Sequence, residues 1–477
     1  MNTTYKLLTM MLLAIGMQSC EKMLQEEPKT VLSPEQFLQN PGSYETSVKG
    51  IYSGLPLYVS FTHEMITDLY APPSAAAEQA LPIYNNQPTP FYFNARNAWN
   101  GPYSMIKNAN FILHYLPAAP LDETFKNQLT AEARFLRGYA FFNLVQLFGD
   151  VPMPLLLAEN YDNLRLPRTP QTEVYEQIVQ DLLFAEDNLP DQARQVGRVY
   201  KLAATALLAR VYLTMAGNPL NQTERFSDAL EKARLVINSQ RFSLTEDYAA
   251  AFHNMAYTSE SIWDKQYVPG RGGNGLHSAS ATAEGYVPTL IPSSNFIQSF
   301  PTGDRRLAWG IMQNYPAPNG PLQRPFFHKF VDAALIDRGV LPSGAQVSFS
   351  IPLLRYAEMF LIAAEAENAL NGPAQAYAYV NEIRRRARVD KGNPTHVPDL
   401  SDLTQEQLQQ AIWKEWDWEM HQEGLSWMTM KRTNTFNRIQ QQRGATLVVP
   451  VGLYNQTWPI PIEEITNNNI PQNPLYQ

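Results

Sequence analysis

Hydrophobic side chains recur at three- and four-residue spacing along most of the chain, the pattern of helices that bury one face. In residues 99–116, for example, Tyr103, Ile106 and Leu113 fall on a single helical face. The same periodicity predicts helices over residues 43–57, 99–116, 130–148, 174–188, 200–216, 226–239, 294–300, 352–371, 374–388 and 403–423. The hydrophobic pattern therefore predicts a mainly α fold.

Two pairs of neighbouring helices resemble each other. Residues 201–213 precede 227–237, and residues 354–370 precede 374–387. In each pair the first helix is rich in alanine and the second carries a short apolar stripe. Small residues let two helix backbones approach closely, as they do in tetratricopeptide hairpins. We therefore expect a tetratricopeptide-like helical-repeat scaffold.

Two segments lack this helical pattern. Residues 68–96 are rich in Pro, Asn and Tyr and are predicted to form a loop. Residues 241–351 are dominated by Gly, Pro, Ser and Asn, with a short strand predicted over 261–268. Long irregular segments in a compact protein are typically functional, so we expect a loop-rich lobe packed against the helical scaffold.

Composition and charge narrow the class of protein. The chain has 477 residues, of which 44% are hydrophobic, enough apolar surface to fold. Its 37 basic and 45 acidic residues give a net charge of −8, and the one basic cluster, residues 384–388, is short. This balance argues against a nucleic-acid partner.

The N-terminus has the pattern of an export signal. An apolar run at residues 7–17 follows Lys6 and is too short to span a bilayer. Ser19 then precedes Cys20, the only cysteine in the chain, which excludes an internal disulfide. The arrangement resembles a bacterial lipoprotein signal, in which the cysteine is acylated and anchors the protein to a membrane. The alternative is a cysteine that happens to lie near an ordinary cleavage site.

Motifs for cofactor or metal chemistry are weak. No two of the seven histidines stand at metal-ligand spacing, and there is no P-loop or G-x-S-x-G elbow. One G-x-G-x-x-G occurs at Gly270, Gly272 and Gly275, but no long helix begins there. The sequence therefore predicts no cofactor and no metal.

Three carboxylates are spaced four residues apart in the last long helix. Glu415, Glu419 and Glu423 would lie on one face, where like charges destabilise a helix unless they are compensated. One interpretation makes two of them an acid and a base. We favour the other, in which cations compensate them. The candidate cations are Lys431, Arg432, Arg384 and Arg386. A second charge network, across a helix junction, is expected to involve Glu132, Arg134 and Arg137.

Several motifs, in collinear order, carry a resemblance to a known family. Residues 132–154, which begin Glu132-Ala-Arg-Phe-Leu-Arg-Gly-Tyr139, resemble the signature helix of the SusD/RagB family, surface lipoproteins of Bacteroidetes that capture nutrients. Further matches are Trp99 with Tyr103 and Asn110, Val174-Tyr175 with Asp181-Leu182, Gly197-Arg198, Leu354-Arg355-Tyr356-Ala357-Glu358, Asn381-Glu382-Ile383-Arg384, Glu423-Gly424 with Trp427, and Trp458-Pro459-Ile460-Pro461.

The resemblance implies an architecture of about four tetratricopeptide-like helix pairs with a variable, loop-rich lobe. We accordingly divide the chain into a lipoprotein signal peptide (1–19), an anchor and extended lead (20–40), an N-terminal helical-repeat part (41–240) with the ligand loop 68–96, a variable lobe (241–351) and a C-terminal helical-repeat part with a closing tail (352–477).

The resemblance also implies a function without catalysis. Family members lie on a SusC-like TonB-dependent outer-membrane barrel, hold oligosaccharides or peptides at its mouth and are anchored by lipid, here with an outward-facing orientation expected. Aromatic rings stack on sugars while polar side chains bond the hydroxyls. The candidate ligand-binding residues are Asp68, Tyr70, Tyr84, Asn85, Asn86, Tyr92, Tyr267, Arg271, His277, Tyr286, Trp309 and Tyr315.

Two other functions remain open at this point. One is a lipid-anchored glycoside hydrolase that uses acids of the variable lobe such as Asp264, Glu284 and Asp304. These acids share no motif, which disfavours an enzyme. The other is a lipoprotein scaffold for protein partners, which would need an exposed concave helical face.

Overall fold

The computed structural model describes residues 40–55, 63–71, 92–157, 165–253, 256–267, 275–281, 288–317, 320–322, 325–338, 347–443 and 456–476. The helices are α1 Pro41–Ile51, α2 Tyr92–Tyr115, α3 Glu123–Phe148, α4 Gln171–Asn188, α5 Lys201–Ala216, α6 Arg225–Asn238, α7 Leu276–Ser280, α8 Ser294–Ser299, α9 Arg305–Gly310, α10 Ala333–Asp337, α11 Tyr356–Asn371, α12 Pro373–Arg386, α13 Gln405–Met420, α14 Ser426–Thr433, α15 Asn437–Arg443 and α16 Ile462–Asn467. The strands are β1 Tyr70–Ala71, β2 Ser261–Lys265, β3 Ile291–Pro292, β4 Ile311–Met312, β5 Tyr315–Ala317, β6 Gly320–Leu322, β7 Phe326–Phe327 and β8 Ile351–Arg355.

The long helices stack in chain order and form the scaffold. Helices α2, α3, α4, α5 and α6 pack one on another in that order. Helix α6 then packs on α11, and α11 packs on both α12 and α13. The predicted pairs α5 with α6 and α11 with α12 are confirmed as packed neighbours. Their first members, α5 and α11, bury alanines on the faces where the backbones approach. The scaffold is therefore the mainly α helical-repeat array that the sequence predicts.

Local signals explain where the central helix α3 begins and ends. The Asp122 side chain accepts a hydrogen bond from the Phe125 N–H at 3.1 Å and caps the first turn. Gly149 ends the helix at a φ of +69°, a conformation that favours glycine. Between these signals most side chains are buried, because α3 lies between α2 and α4.

The strands form four separate antiparallel pairs, β1 with β3, β2 with β8, β4 with β7 and β5 with β6. The β2–β8 pair links the lobe to the start of α11, with Trp263 opposite Leu354. The β1–β3 pair sets Tyr70 opposite Pro292 and so ties the segment after α1 to the lobe. These pairs fix the position of the lobe against the scaffold.

The apolar core has two main parts. The larger fills the spaces between the scaffold helices. The smaller belongs to the lobe and includes Tyr248, Phe252 and Phe330, together with Trp418 from α13. The lobe is thus packed around its own core rather than attached as a loose loop.

Some predicted boundaries were wrong. Residues 352–355 form strand β8 rather than the start of a helix, because β2 offers them a pairing edge that local periodicity does not reveal. The predicted loop 68–96 ends earlier than expected, since α2 begins at Tyr92. Six of the described helices were not predicted or lay inside segments interpreted as irregular, as did the first turns of α2. These six helices are α7, α9, α10, α14, α15 and α16.

Within the described residues, no helix combines the length and the hydropathy that a bilayer crossing requires. The predicted signal at residues 1–19, Cys20 and the lead up to residue 39 lie outside the described residues.

Candidate ligand-binding site

A cleft of about 490 Å³ opens between the lobe and the end of the scaffold. Four parts of the chain line it: the segment that precedes β1, helix α8 of the lobe, helix α13, and α15 together with Thr435 just before it. The lining residues are Asp68, Leu69, Asn295, Phe296, Ser299, Gln410, Trp413, Lys414, Asp417, Thr435, Arg438, Gln441 and Gln442. Amide, hydroxyl and charged groups thus converge on one concave surface, as ligand sites require.

One arginine bridges two carboxylates in the cleft wall. Arg438 Nη2 lies 2.9 Å from Asp68 Oδ2 and 2.6 Å from Asp417 Oδ2. Its Nε donates a further hydrogen bond to Asp68 Oδ2 at 3.1 Å. Burial raises the pKa of Asp417 to about 6, although the Arg438 charge acts in the opposite direction. We call Asp68, Asp417 and Arg438 the cleft triad.

Ser293 joins the Asp68 segment to the lobe and to α15. Its hydroxyl donates to the Asp68 carbonyl oxygen at 2.8 Å and accepts from the Gln442 amide nitrogen at 2.9 Å. The same oxygen accepts from the Phe296 N–H at 3.1 Å and caps α8. Three elements that line the cleft are therefore held together by one side chain.

Trp413 supplies the aromatic surface of the cleft. Its indole N–H donates to Glu365 Oε1 at 3.0 Å, which fixes the orientation of the ring. The ring is only partly buried. A ring that is held at its polar edge and open on one side is suited to stacking on an apolar ligand face.

The structure separates the predicted site residues into three groups. Asp68 lies in the cleft. Tyr70 is 1% exposed and donates to Glu64 Oε2 at 3.0 Å, and His277 is fully buried with its Nδ1 accepting from the Asp332 N–H at 3.1 Å. Burial lowers the pKa of His277 to about 4. We therefore correct the candidate set: Tyr70 and His277 are interior residues and do not present themselves to a ligand.

Trp309 and Tyr267 are partly exposed but do not line the cleft. Trp309 packs against the rings of Phe252, His253 and His328, with centroids 6.1, 5.1 and 4.9 Å away. Its role in packing the lobe is thus established by these contacts, whereas a role in binding stays a prediction.

The side chains of the remaining predicted residues lie outside the described part of the structure. Tyr84, Asn85, Asn86, Arg271 and Tyr286 lie outside the described residues. For Tyr92 and Tyr315 the backbone is described and the side chain is not.

Sequence reasoning missed most of the cleft. Trp413, Lys414 and Asp417 belong to α13, which was interpreted as scaffold, and Arg438 and Gln442 belong to α15, which was not predicted. The available signal was the run Gln440-Gln441-Gln442 beside Arg438, an unusually polar stretch for a helix that touches the core.

The three carboxylates of α13 are structural. Glu415 is paired with Arg306 and Arg384, at 2.5 and 2.7 Å. The Glu419 and Glu423 carboxylates are likewise buried and paired with Arg355. The nearby cations lower the pKa of Glu423 below its usual value, so its carboxylate stays ionised rather than acting as a proton donor. The compensation hypothesis is thus confirmed over the acid–base hypothesis.

The compensating cations were only partly predicted. Arg384 and Arg386 are confirmed as partners of this stripe. The predicted partners Lys431 and Arg432 were wrong. Lys431 donates a hydrogen bond to the Gln146 carbonyl oxygen, and Arg432 pairs with Glu365. The actual further partners are Arg306, Lys329 and Arg355, which come from distant parts of the chain.

The second predicted network also has different partners. Glu132 pairs with Arg198, and Arg137 pairs with Asp181 at 2.8 Å. The Arg134 guanidinium lies 4.2 Å from the centre of the Phe184 ring. The contacts of Glu132 and Arg137 thus join α3 to neighbouring segments, as the predicted network across a helix junction requires, whereas Arg134 packs on a ring and not on a carboxylate.

The two described acids that were considered for hydrolysis, Asp264 and Asp304, are each engaged by another side chain. Asp304 pairs with Arg306 at 2.7 Å, and Asp264 accepts from the Ser261 hydroxyl at 2.6 Å. Burial raises the pKa of Asp264 to about 7. Glu284 lies outside the described residues. Among the described residues, no group of three or more His, Cys, Asp and Glu side chains is arranged to hold a metal ion.

Two family profiles match the chain. The first, described as starch-binding and associating with the outer membrane, matches residues 35–213. The second, described as the SusD family, matches residues 323–476. The two matches cover both ends of the helical scaffold.

Curated relatives match most or nearly all of the chain. SusD-like protein P2 of Formosa agariphila is 27% identical over 516 aligned positions, covering 99% of each chain. Starch-binding protein SusD of Bacteroides thetaiotaomicron is 26% identical and covers 78% of this chain and 77% of its own.

Solved structures share the fold. A SusD superfamily protein from Parabacteroides distasonis superposes with a TM-score of 0.78 at 24% identity, covering 93% of this chain and all of its own. A laminarin-binding SusD-like protein superposes with a TM-score of 0.73 at 23% identity, covering 91% of this chain and 99% of its own.

Proposed function

The chain belongs to the SusD/RagB family, whose members bind carbohydrates and are not enzymes, and we propose that it captures oligosaccharides in the cleft lined by Asp68 and Trp413. The further steps of the proposal are that Cys20 anchors the protein by lipid to the outer membrane, facing outward, and that the captured glycan passes to a SusC-like TonB-dependent barrel.

The observation that carries this proposal is the chemistry of the cleft. Trp413 offers one flat apolar surface beside the amides of Asn295, Gln410 and Gln441. A sugar presents a C–H face for stacking and hydroxyls for hydrogen bonds, so both kinds of group meet their counterparts.

The weakness of such contacts suits capture followed by release. A stacked ring contributes on the order of 1 kcal/mol, and a few contacts of this size give dissociation constants from roughly millimolar to tens of micromolar. A ligand held this loosely can move onward to a transporter.

Binding is tested by titrating the purified protein, in detergent, against an array of oligosaccharides and peptides. For any glycan that binds, Trp413→Ala should weaken binding by about fivefold or more, and Trp413→Phe, which keeps a flat ring, should weaken it less. An array in which only peptides bind, or in which Trp413→Ala has no effect on glycan binding, would contradict the proposal.

Delivery is tested separately by isolating the protein from native outer membranes with mild detergent. A large TonB-dependent barrel should co-purify with it. Recovery without any barrel would leave the binding proposal standing and remove the delivery step.

A further inference from the structure

We propose that the cleft selects neutral, hydroxyl-rich oligosaccharides and rejects polyanionic ones, and that the cleft triad of Asp68, Asp417 and Arg438 makes this selection. The inference rests on the proposed function, because it names the class of glycan that the same cleft takes.

The guanidinium of the cleft, that of Arg438, already bonds two protein carboxylates through its Nε and Nη2 groups. Arg438 Nη2 contacts Asp68 Oδ2 at 2.9 Å and Asp417 Oδ2 at 2.6 Å, and its Nε contacts Asp68 Oδ2 at 3.1 Å. An arginine that recognises a carboxylate or sulfate ester must offer its paired N–H groups to that ligand. Two protein carboxylates hold its Nε and Nη2 groups here, so an anionic sugar would have to displace one of them to gain that side-on pair.

The triad also carries excess negative charge. Two carboxylates and one guanidinium sum to −1; Asp417 is buried, and Asp68 and Arg438 are partly buried, with 17% and 28% of their side chains exposed. Charges in such surroundings interact more strongly than in bulk water. A uronate or sulfate group entering the cleft would therefore meet repulsion, whereas a neutral sugar would not.

The wall has a surplus of hydrogen-bond acceptors. Asp68 Oδ1 and Gln442 Oε1 have no hydrogen-bond donor among the described residues. The amide nitrogen of Gln442 is committed to Ser293 Oγ at 2.9 Å, so its oxygen is the end left over. Both oxygens are shielded from solvent and belong to residues that line the cleft. Sugar hydroxyls can donate to them, whereas carboxylate and sulfate groups are acceptors only.

One cation at the rim could act against this selection. Lys414 lines the cleft and is exposed, with its ammonium 5.9 Å from the centre of the Trp418 ring. Exposed charges are screened by water and salt, so the more deeply buried triad should dominate. Lys414 is therefore included among the variants.

The test compares neutral and acidic glycans of equal length on the full-length protein in detergent. The neutral probes are hexasaccharides of glucan, mannan and galactan, and the acidic probes are oligogalacturonate, oligomannuronate and a sulfated galactan. We expect at least one neutral probe to bind about tenfold or more tightly than every acidic probe at physiological salt. Asp68→Asn, which makes the triad neutral, should shrink that ratio severalfold, while Lys414→Gln should leave it nearly unchanged.

The outcomes are distinguishable. Acidic probes that bind as tightly as neutral ones, or a ratio unchanged by Asp68→Asn in a variant with wild-type unfolding behaviour, would overturn the inference and leave the proposed capture of glycans intact. Loss of acidic binding in Lys414→Gln would overturn it as well, because the rim cation would then control selection. Failure of every glycan to bind would overturn the inference together with the proposed function.

Discussion

Arg306 Nη1 lies 2.5 Å from Glu415 Oε1, and both side chains are fully buried. The arginine comes from α9 in the lobe and the glutamate from α13 in the scaffold, so the pair joins the two parts of the molecule. It belongs to a larger buried network of five acids and five bases, Glu260, Asp304, Glu415, Glu419, Glu423, Arg306, Lys329, Arg355, Arg384 and Arg386. Because the charges cancel, the network tolerates burial that a single charge would not.

Breaking this network at Arg306 should be costly. Arg306→Gln leaves Asp304 and Glu415 short of a buried partner, and we expect a loss of about 3–5 kcal/mol in the free energy of unfolding. Chemical denaturation followed by circular dichroism measures the change.

The neighbouring residue supplies a matched control. Arg305 pairs with Asp247 through two contacts of 2.9 Å, and both side chains are substantially exposed. Arg305→Gln should cost no more than about 1 kcal/mol. Equal losses from the two substitutions would mean that burial does not control the energy of this network.

This network shows what sequence spacing can and cannot predict. The four-residue spacing of Glu415, Glu419 and Glu423 is a local property, so the carboxylate stripe and its need for cations were predictable. Arg306 and Arg355 are far away in sequence, and only the packing of the lobe on α13 brings them to the stripe. Lys431 and Arg432 were predicted as the compensating cations because they are close to the stripe in sequence, but they contact Gln146 and Glu365 instead.

Glu64 should make stability fall as the pH rises. Burial raises its pKa to about 7 from 4.5, although the N–H groups of Ser426 and Trp427 and the Tyr70 hydroxyl favour the ionised form. Between those two values the native protein holds a proton that the unfolded chain has released. The free energy of unfolding therefore decreases through this window, with a contribution from this residue of up to about 3 kcal/mol.

Glu64→Gln removes this titration and keeps an acceptor for the Ser426 N–H, which is 2.8 Å from Glu64 Oε1. Between pH 5 and pH 8, the free energy of unfolding of the parent protein should fall by about 2–3 kcal/mol more than that of the variant. Glu176→Gln, an exposed position on α4, should show no such shift. A Glu64→Gln variant with the same pH profile as the parent would refute this prediction.

Gly303 should not tolerate a side chain. Its φ is +71°, and a Cβ placed there would lie 2.3 Å from His396 Cγ. Gly303→Ala therefore combines backbone strain with overlap, and we expect a loss of about 1–3 kcal/mol in stability. Gly50 is the control: it lies within α1 with no heavy atom within 4 Å of its Cβ position. Gly50→Ala should stabilise the protein by up to about 1 kcal/mol, so thermal melts of the two variants should move in opposite directions.

The candidate site was less predictable than the scaffold, for a physical reason. Asp68 was found because its segment is rich in Pro, Asn and Tyr, a composition that marks a functional loop. Trp413 and Arg438 were missed because helical periodicity separates buried from exposed positions and does not show which exposed positions face a cleft. A helix such as α13 can serve the core on one side and a ligand on the other.

The proposed lipid anchor depends on Cys20, the only thiol in the chain. Several acyl chains on one cysteine hold a protein on a membrane stably, whereas one chain alone binds marginally. Cys20→Ala should therefore move the protein from the membrane fraction to a soluble pool, as measured by immunoblot after ultracentrifugation. Ser19→Ala, which keeps a small residue before the cysteine, should leave the protein in the membrane fraction. If Cys20→Ala sediments with membranes as the parent does, even after a high-salt wash, the cysteine is not the anchor and the membrane association must come from protein contacts.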